Sequence, residues 1–118
     1  MKLYFDKPVF HSGINLTIRR GVKWAAKIME HVLAYDAKDE FSHRTEPIFY
    51  CLVVNQKVMK FEDIPRDDFK LVHDPDCQTY ETMLEEMKRI YGDFSEREIV
   101  TLLYFKKRDE IYDGVPDE

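Results

Sequence analysis

The chain has 118 residues, of which 44% are hydrophobic and 14% aromatic, and its 23 acidic residues outnumber 18 basic ones to give a formal net charge of −5. This length suits one domain, and the aromatic content is enough to form a core, which excludes a globally disordered chain. The acidic balance excludes a protein that coats nucleic acid through many phosphate contacts, but it leaves room for a small basic site on an acidic body.

The start of the chain and its cysteines predict a cytoplasmic location. Residues 1–6 read MKLYFD, so a charge follows only a short apolar run and no signal peptide is expected. No apolar stretch approaches the roughly 20 residues that span a bilayer. The spacing of Cys51 and Cys77 suggests neither a metal site nor a disulfide, so we expect two reduced thiols, one in the core and one in a loop. No cofactor is implied.

The first half of the chain predicts three strands. Residues 3–5 can begin one, and residues 14–19 predict a second because apolar and polar side chains alternate there. The apolar set, expected to face inward, is Ile14, Leu16 and Ile18. The next stretch suits either a helix or a strand, and we favour a loop or helical turn over 22–29 and a strand over 31–36. Residues 36–46 are polar and predict a loop.

The middle of the chain predicts a buried strand followed by irregular structure. Residues 48–54 are β-branched and aromatic, which favours a strand. A turn or bulge is expected at 55–56, because the chain continues in an extended pattern over 58–61. Residues 62–69 resemble a helical turn, and an acidic loop follows as far as Cys77.

The clearest helix is predicted to begin after Thr79 and to end before Gly92. Thr79 is a good N-cap and Gly92 a good stop. Its apolar residues fall on one helix face: Tyr80, Met83, Leu84, Met87, Ile90 and Tyr91. A last strand is expected over 98–105.

These elements predict an α+β fold, namely a small open β-barrel of about five strands with one main helix and one or two helical turns. We expect one domain over residues 1–106 and an acidic, flexible tail over 107–118.

A basic cluster is the most unusual local feature of this acidic chain. Thr17 and Arg19 should share a strand face, because residues i and i+2 point the same way. Together they suit a phosphate or a planar polar base, while Trp24 could stack on a base and Lys23 could meet a phosphate. Arg20 completes the cluster. The competing interpretation is a solvated basic turn with Trp24 in the core.

The acidic loop is a weaker candidate site. Its carboxylates could perform acid/base chemistry or hold a cation, but the spacing is not that of an EF-hand, and we expect a solvated loop without a metal. The residues concerned are Asp67, Asp68, His73, Asp74 and Asp76.

The order of these features resembles that of ASCH domains, which belong to the PUA-like superfamily and occur as single-domain bacterial or phage proteins. The resemblance covers about residues 12–106. It begins with the run 13–19, whose Thr17-x-Arg19 looks like the family's Thr-x-Arg on its first well-formed strand. It continues with a Phe-x-Asp-Ile turn at 61–64, a helix ending in Ile-Tyr-Gly at 90–92, and a closing strand that ends at 103–105.

The resemblance implies a cleft beside the Thr-x-Arg strand that binds RNA or nucleotides. It also implies a possible activity, since a bacterial branch hydrolyses the amide of N4-acetylcytidine with a Lys, a Thr and a Glu. The Thr corresponds to Thr17 and the Glu position to Asp76. The Lys position is occupied by Ile14, so the sequence departs from that branch.

We therefore expect a binding module for RNA or for a modified nucleoside or nucleotide. An amidohydrolase is the first alternative, with Thr17 as nucleophile, Asp76 as acid/base and Lys23 as a substitute cation. A protein-interaction domain without a small ligand is the second. The expected ligand-binding residues are Thr17, Arg19, Arg20, Lys23, Trp24 and Asp76.

Overall fold

The computed structural model describes residues 2–24, 31–36, 47 and 49–108, and within them it contains a five-stranded sheet and one α-helix. Three short 3₁₀ helices connect the sheet to the α-helix, at Phe61–Asp63, Arg66–Leu71 and Pro75–Cys77. The strands are β1 (Lys2–Phe5), β2 (Asn15–Arg20), β3 (His31–Asp36), β4 (Phe49–Lys60) and β5 (Ile99–Lys107), and the helix is α1 (Tyr80–Tyr91).

The sheet is mixed and curls into an open barrel. Its strand order is β1-β3-β4-β5-β2, with β1 parallel to β3 and every other pair antiparallel. The edge strands β1 and β2 are not hydrogen-bonded to each other, yet they approach closely, because the guanidinium carbon of Arg19 lies 4.8 Å from the ring centre of Phe5. This gap between the two edges is the seam of the barrel. The predicted α+β open barrel is confirmed.

Both faces of the sheet are buried. Every residue of β5 from Val100 to Phe105 is buried, and alternate side chains enter two separate clusters. Leu102 and Tyr104 pack with α1 and the 3₁₀ helices, whereas Leu103 and Phe105 pack with β1 and β3. Because side chains alternate across a strand, β2 likewise directs Leu16 and Ile18 to the helix side. Thr17 and Arg19, which alternate with them, are therefore left on the side of β1.

The strand predictions are largely confirmed. The segment 31–36 forms a strand, and the strands predicted over 48–54 and 58–61 correspond to the single long strand β4, which runs from Phe49 to Lys60. A register shift between Val53 and Asn55 accounts for the irregularity expected at 55–56. Ile14 is the exception, because it precedes β2 and its side chain is 38% exposed rather than inward.

The acidic loop is more ordered than predicted. It forms the second and third 3₁₀ helices, and two of its carboxylates have structural partners. Asp68 accepts hydrogen bonds from Lys57 and from the Tyr104 hydroxyl, and the buried Asp74 accepts one from the backbone N–H of Asp76. The solvated-loop prediction was wrong here, because charge density alone does not show which carboxylates fold inward.

Both cysteines are free and buried, so the prediction of unpaired thiols is confirmed, but Cys77 is buried on a 3₁₀ helix rather than placed in an open loop. Most of three predicted segments lies outside the described residues: 25–29 of the turn predicted over 22–29, 37–46 of the loop predicted over 36–46, and 109–118 of the tail predicted over 107–118.

Helix α1 has the predicted ends. The Thr79 hydroxyl accepts from the Thr82 backbone N–H, and the Thr82 hydroxyl accepts from the Thr79 N–H, both at 3.1 Å. Gly92 ends the helix with a φ of 75°, a conformation that residues with a Cβ rarely adopt. Met83 and Met87 direct the apolar face onto the sheet.

Replacing the N-cap tests this end of the helix. We expect Thr79→Ala to lower the free energy of unfolding by about 1 kcal/mol, because a backbone N–H then loses its acceptor. Thr79→Ser keeps the hydroxyl and should retain most of the stability in urea denaturation. Equal losses in both variants would contradict the capping role.

Candidate functional site

A pocket of about 450 Å³ occupies the seam of the barrel. Its walls come from β1 and β2 on two sides and from the C-terminal half of α1 and the segment 72–77 on the others. The site therefore forms where the sheet does not close, and the helix covers the gap.

Arg19 and Thr17 meet in this pocket as the strand spacing predicts. The Nε of Arg19 donates to the Thr17 hydroxyl oxygen at 3.0 Å, and both residues line the pocket. Thr17 itself is buried. Its hydroxyl oxygen holds the guanidinium plane in a fixed direction, while the two terminal amino groups of Arg19 are not used by this contact.

Arg19 lies between aromatic rings rather than beside a carboxylate. Its guanidinium carbon is 4.8 Å from the ring centre of Phe5 and 5.3 Å from that of Trp24. Among the described residues, no carboxylate lies within ion-pair distance of Arg19. Burial lowers the pKa of Arg19 to about 10, so the side chain is still charged at pH 7. The pocket thus holds a partly buried cation whose charge no carboxylate of the described residues neutralises.

His73 adds a neutral acceptor to the same pocket. Its Nδ1 lies 3.0 Å from the Val9 carbonyl oxygen, which can only accept, so Nδ1 carries the proton. Burial is the main cause that lowers the pKa of His73 to about 4, and the charge of Arg19 adds to it. The ring is therefore neutral at pH 7, and its Nε2 offers a lone pair. Phe5 packs edge-on against this ring, with centres 4.9 Å apart.

Ion pairs surround the mouth of the pocket. Lys7 lies 3.8 Å from a carboxylate oxygen of Asp74, and Arg89 of α1 pairs with both Asp6 and Glu86. Unlike Arg19, these two cations already have carboxylate partners. They link the segment after β1 to the helix side of the pocket.

The remaining cations of the predicted cluster lie elsewhere. Arg20 follows Arg19 on β2 and pairs with Glu98 at 2.7 Å and with Asp93 at 3.0 Å. Its position on the other face of the strand follows from the same alternation that joins Thr17 to Arg19. Lys23 is exposed, and its ammonium lies 4.9 Å from the ring centre of Trp24. Trp24 is half-buried, packs against the β1 side of the core and also lines the pocket.

Asp74, and not the predicted Asp76, contributes a carboxylate to the pocket, as do Asp6 and Glu86. Asp74 lines the pocket, whereas the side chain of Asp76 is 80% exposed and lines a shallower depression beside it. Cys77 borders both hollows. Burial raises the pKa of this thiol to about 12, and the neighbouring Asp74 and Glu86 add to the effect, so it is a protonated thiol.

Three of these residues were not among the ligand-binding residues predicted from the sequence, although His73 was named there with the acidic loop. Phe5 and His73 reach Arg19 from distant parts of the chain, and Arg89 reaches the mouth from α1. Within the described residues, no group of three metal-ligating side chains occurs, and no helix has the length and apolarity needed to cross a membrane.

Two solved structures share this arrangement of elements. One is an ASCH domain from Lactobacillus crispatus, which superposes with a TM-score of 0.60 at 9% identity over 79% of this chain. The fold is ASCH-like. The other is a protein from Enterococcus faecalis of the family DUF984, with a TM-score of 0.55 at 12% identity over 80% of this chain.

The ASCH-like chain spans 63% of the length of each of these two structures. At such low identity the likeness is one of fold alone. No protein-family model matches the sequence, and a search of curated proteins gave no significant match.

Proposed function

We propose that the protein is a binding module whose seam pocket holds a nucleobase, as part of a nucleoside, a nucleotide or an unpaired nucleotide of RNA. The observation that carries the proposal is Arg19, a partly buried and charged guanidinium in the pocket with no carboxylate partner among the described residues. A charge that is partly withdrawn from water is costly unless it is compensated, so the site favours a ligand that presents a carbonyl or anionic oxygen there.

The other pocket residues favour a flat heterocycle over a simple anion. His73 offers an acceptor near the donors of Arg19, and a nucleobase edge presents donors and acceptors side by side. Trp24 supplies an aromatic surface in the same pocket, and bases stack on such surfaces with about 1–3 kcal/mol each. The ASCH-like fold is compatible with this use.

Trp24 gives a direct measurement, because it is the single tryptophan of the chain. We expect its fluorescence to change saturably when the matching nucleoside, nucleotide or short single-stranded RNA is titrated into the protein. Stacking of a base on the indole, or displacement of Arg19 from beside it, alters the surroundings of the ring.

Ribose 5-phosphate is the matched control, since it carries the sugar and the phosphate without the base. If ribose 5-phosphate gave a comparable response, the group that the pocket recognises would be a phosphate rather than a nucleobase. If no nucleoside, nucleotide or RNA changed the fluorescence or the melting temperature, the binding proposal would be refuted, and the protein-interaction alternative would gain.

The amidohydrolase alternative receives less support from the geometry. The Thr17 hydroxyl oxygen accepts from Arg19, which cannot take up the proton of a nucleophile. Asp76, the expected acid/base, lines the neighbouring depression rather than the pocket. Turnover of N4-acetylcytidine that is lost in Thr17→Ala would nevertheless establish hydrolysis over simple binding.

A further inference from the structure

Positive and negative charges are separated around the pocket, which the net charge of the whole chain does not reveal. Arg19 places a positive charge inside the pocket. The mouth and the depression beside it carry the opposite sign. Five carboxylates line these two hollows: Asp6, Asp74, Asp76, Glu85 and Glu86.

Only two cations of the described residues accompany these carboxylates at the mouth. Lys7 and Arg89 are both paired with carboxylates already. This acidic mouth therefore has a net charge of −3, counted over the lining residues other than Arg19. Since Asp6, Asp76 and Glu85 are exposed, their field extends into the solvent through which a ligand must approach.

A nucleobase and a phosphate group respond to this arrangement in opposite ways. A base can place a carbonyl oxygen against Arg19 and expose its sugar to the mouth at no electrostatic cost. A phosphate attached to that sugar would face an excess of carboxylates, and neutralising it would require Arg89 or Lys7 to leave its present partner. Phosphate binding usually relies on cations that are free to meet it.

From this distribution we infer that the ligand enters without a phosphate, as a free nucleobase or an uncharged nucleoside, and that the acidic mouth excludes nucleoside phosphates and RNA chains. The inference rests on the proposed function and narrows its ligand class. The positive group deep in the pocket attracts the polar edge of the base, and the carboxylates at the mouth repel phosphorylated forms of the same compound.

The test compares each common nucleoside with its 3′- and 5′-monophosphates, by Trp24 fluorescence and by calorimetry. For the base that binds, we expect both monophosphates to bind at least about tenfold more weakly than the nucleoside at low ionic strength. The difference should shrink at high salt, because exposed charges are screened.

A variant with fewer negative charges at the mouth provides the second part of the test. The double variant Asp76→Asn, Glu85→Gln changes two exposed side chains and should narrow the difference between nucleoside and monophosphate at least about threefold. Asp63→Asn is the control, because Asp63 is also exposed but lines neither hollow. It should leave the difference unchanged.

The outcomes separate this inference from the proposed function. A monophosphate or a short RNA that binds as tightly as the nucleoside would overturn the inference and leave the nucleobase pocket standing. An equal effect of the double variant and of Asp63→Asn would also overturn it, since the mouth would then not be the cause. Failure of every nucleoside, nucleotide and RNA to bind would overturn the proposed function and this inference together.

Discussion

Arg19→Met should weaken ligand binding at least about 30-fold without lowering the melting temperature. A hydrogen bond to a charged group contributes about 2 kcal/mol, and Arg19 is the unneutralised cation of the pocket. The same charge is unfavourable for folding, because burial lowers its pKa to about 10 and no described carboxylate compensates it. Methionine keeps an unbranched apolar chain between Phe5 and Trp24, so we expect equal or greater stability.

Arg20→Met is the matched control, because it removes the same group from the next residue. Arg20 pairs with Asp93 and Glu98 on the other face of β2, so this variant should bind ligand within about threefold of the wild type and be less stable. The two substitutions are thus expected to have opposite effects on binding and stability. If Arg19→Met bound normally, Arg19 would have no part in recognition.

Acidification should destabilise the protein through His73. Its pKa is about 4 in the folded state against an ordinary value of 6.5, so the unfolded state takes up the proton first as the pH falls. The stability that neutral His73 contributes is complete above pH 6.5 and is lost progressively as the pH falls towards 4. This difference between the folded and the ordinary pKa of His73 corresponds to a loss of about 3 kcal/mol in the free energy of unfolding.

The variant His73→Gln isolates this effect, since carboxylates elsewhere titrate over part of the same range. Glutamine can still donate to the Val9 carbonyl but cannot take up a proton, so the loss of stability between pH 6.5 and 4 should be smaller than in the wild type. Parallel curves for His73→Gln and the wild type in urea denaturation would contradict the assignment.

Local signals account for the elements that were predicted well. The ends of α1 follow from Thr79 and Gly92, whose effects operate within one helical turn. The segment 31–36 was ambiguous because its residues suit both helix and strand. It forms a strand because it pairs with β1 and β4. The 3₁₀ helices over 66–77 have no hydrophobic periodicity that a sequence pattern could detect.

The sequence predicted only the part of the site that lies on a single strand. Alternation along β2 placed Thr17 beside Arg19, and applied one residue further it would have placed Arg20 on the opposite face. The family resemblance placed the Glu position at Asp76, but Asp74, at the start of the third 3₁₀ helix, lines the pocket instead. The approach of His73 to β1 depends on how the sheet curls, which no local pattern encodes.

The seam of the barrel also bears on solubility. Edge strands expose unpaired backbone groups and invite pairing with other chains. Here both edges, β1 and β2, are short, face each other and lie beneath α1 and the segment 72–77, where His73 donates its backbone N–H to the Leu16 carbonyl of β2. The cover that forms the pocket therefore also keeps the sheet from extending into a neighbouring molecule. A substitution that loosens α1 from the sheet would be expected to promote aggregation at the same time as it abolishes binding.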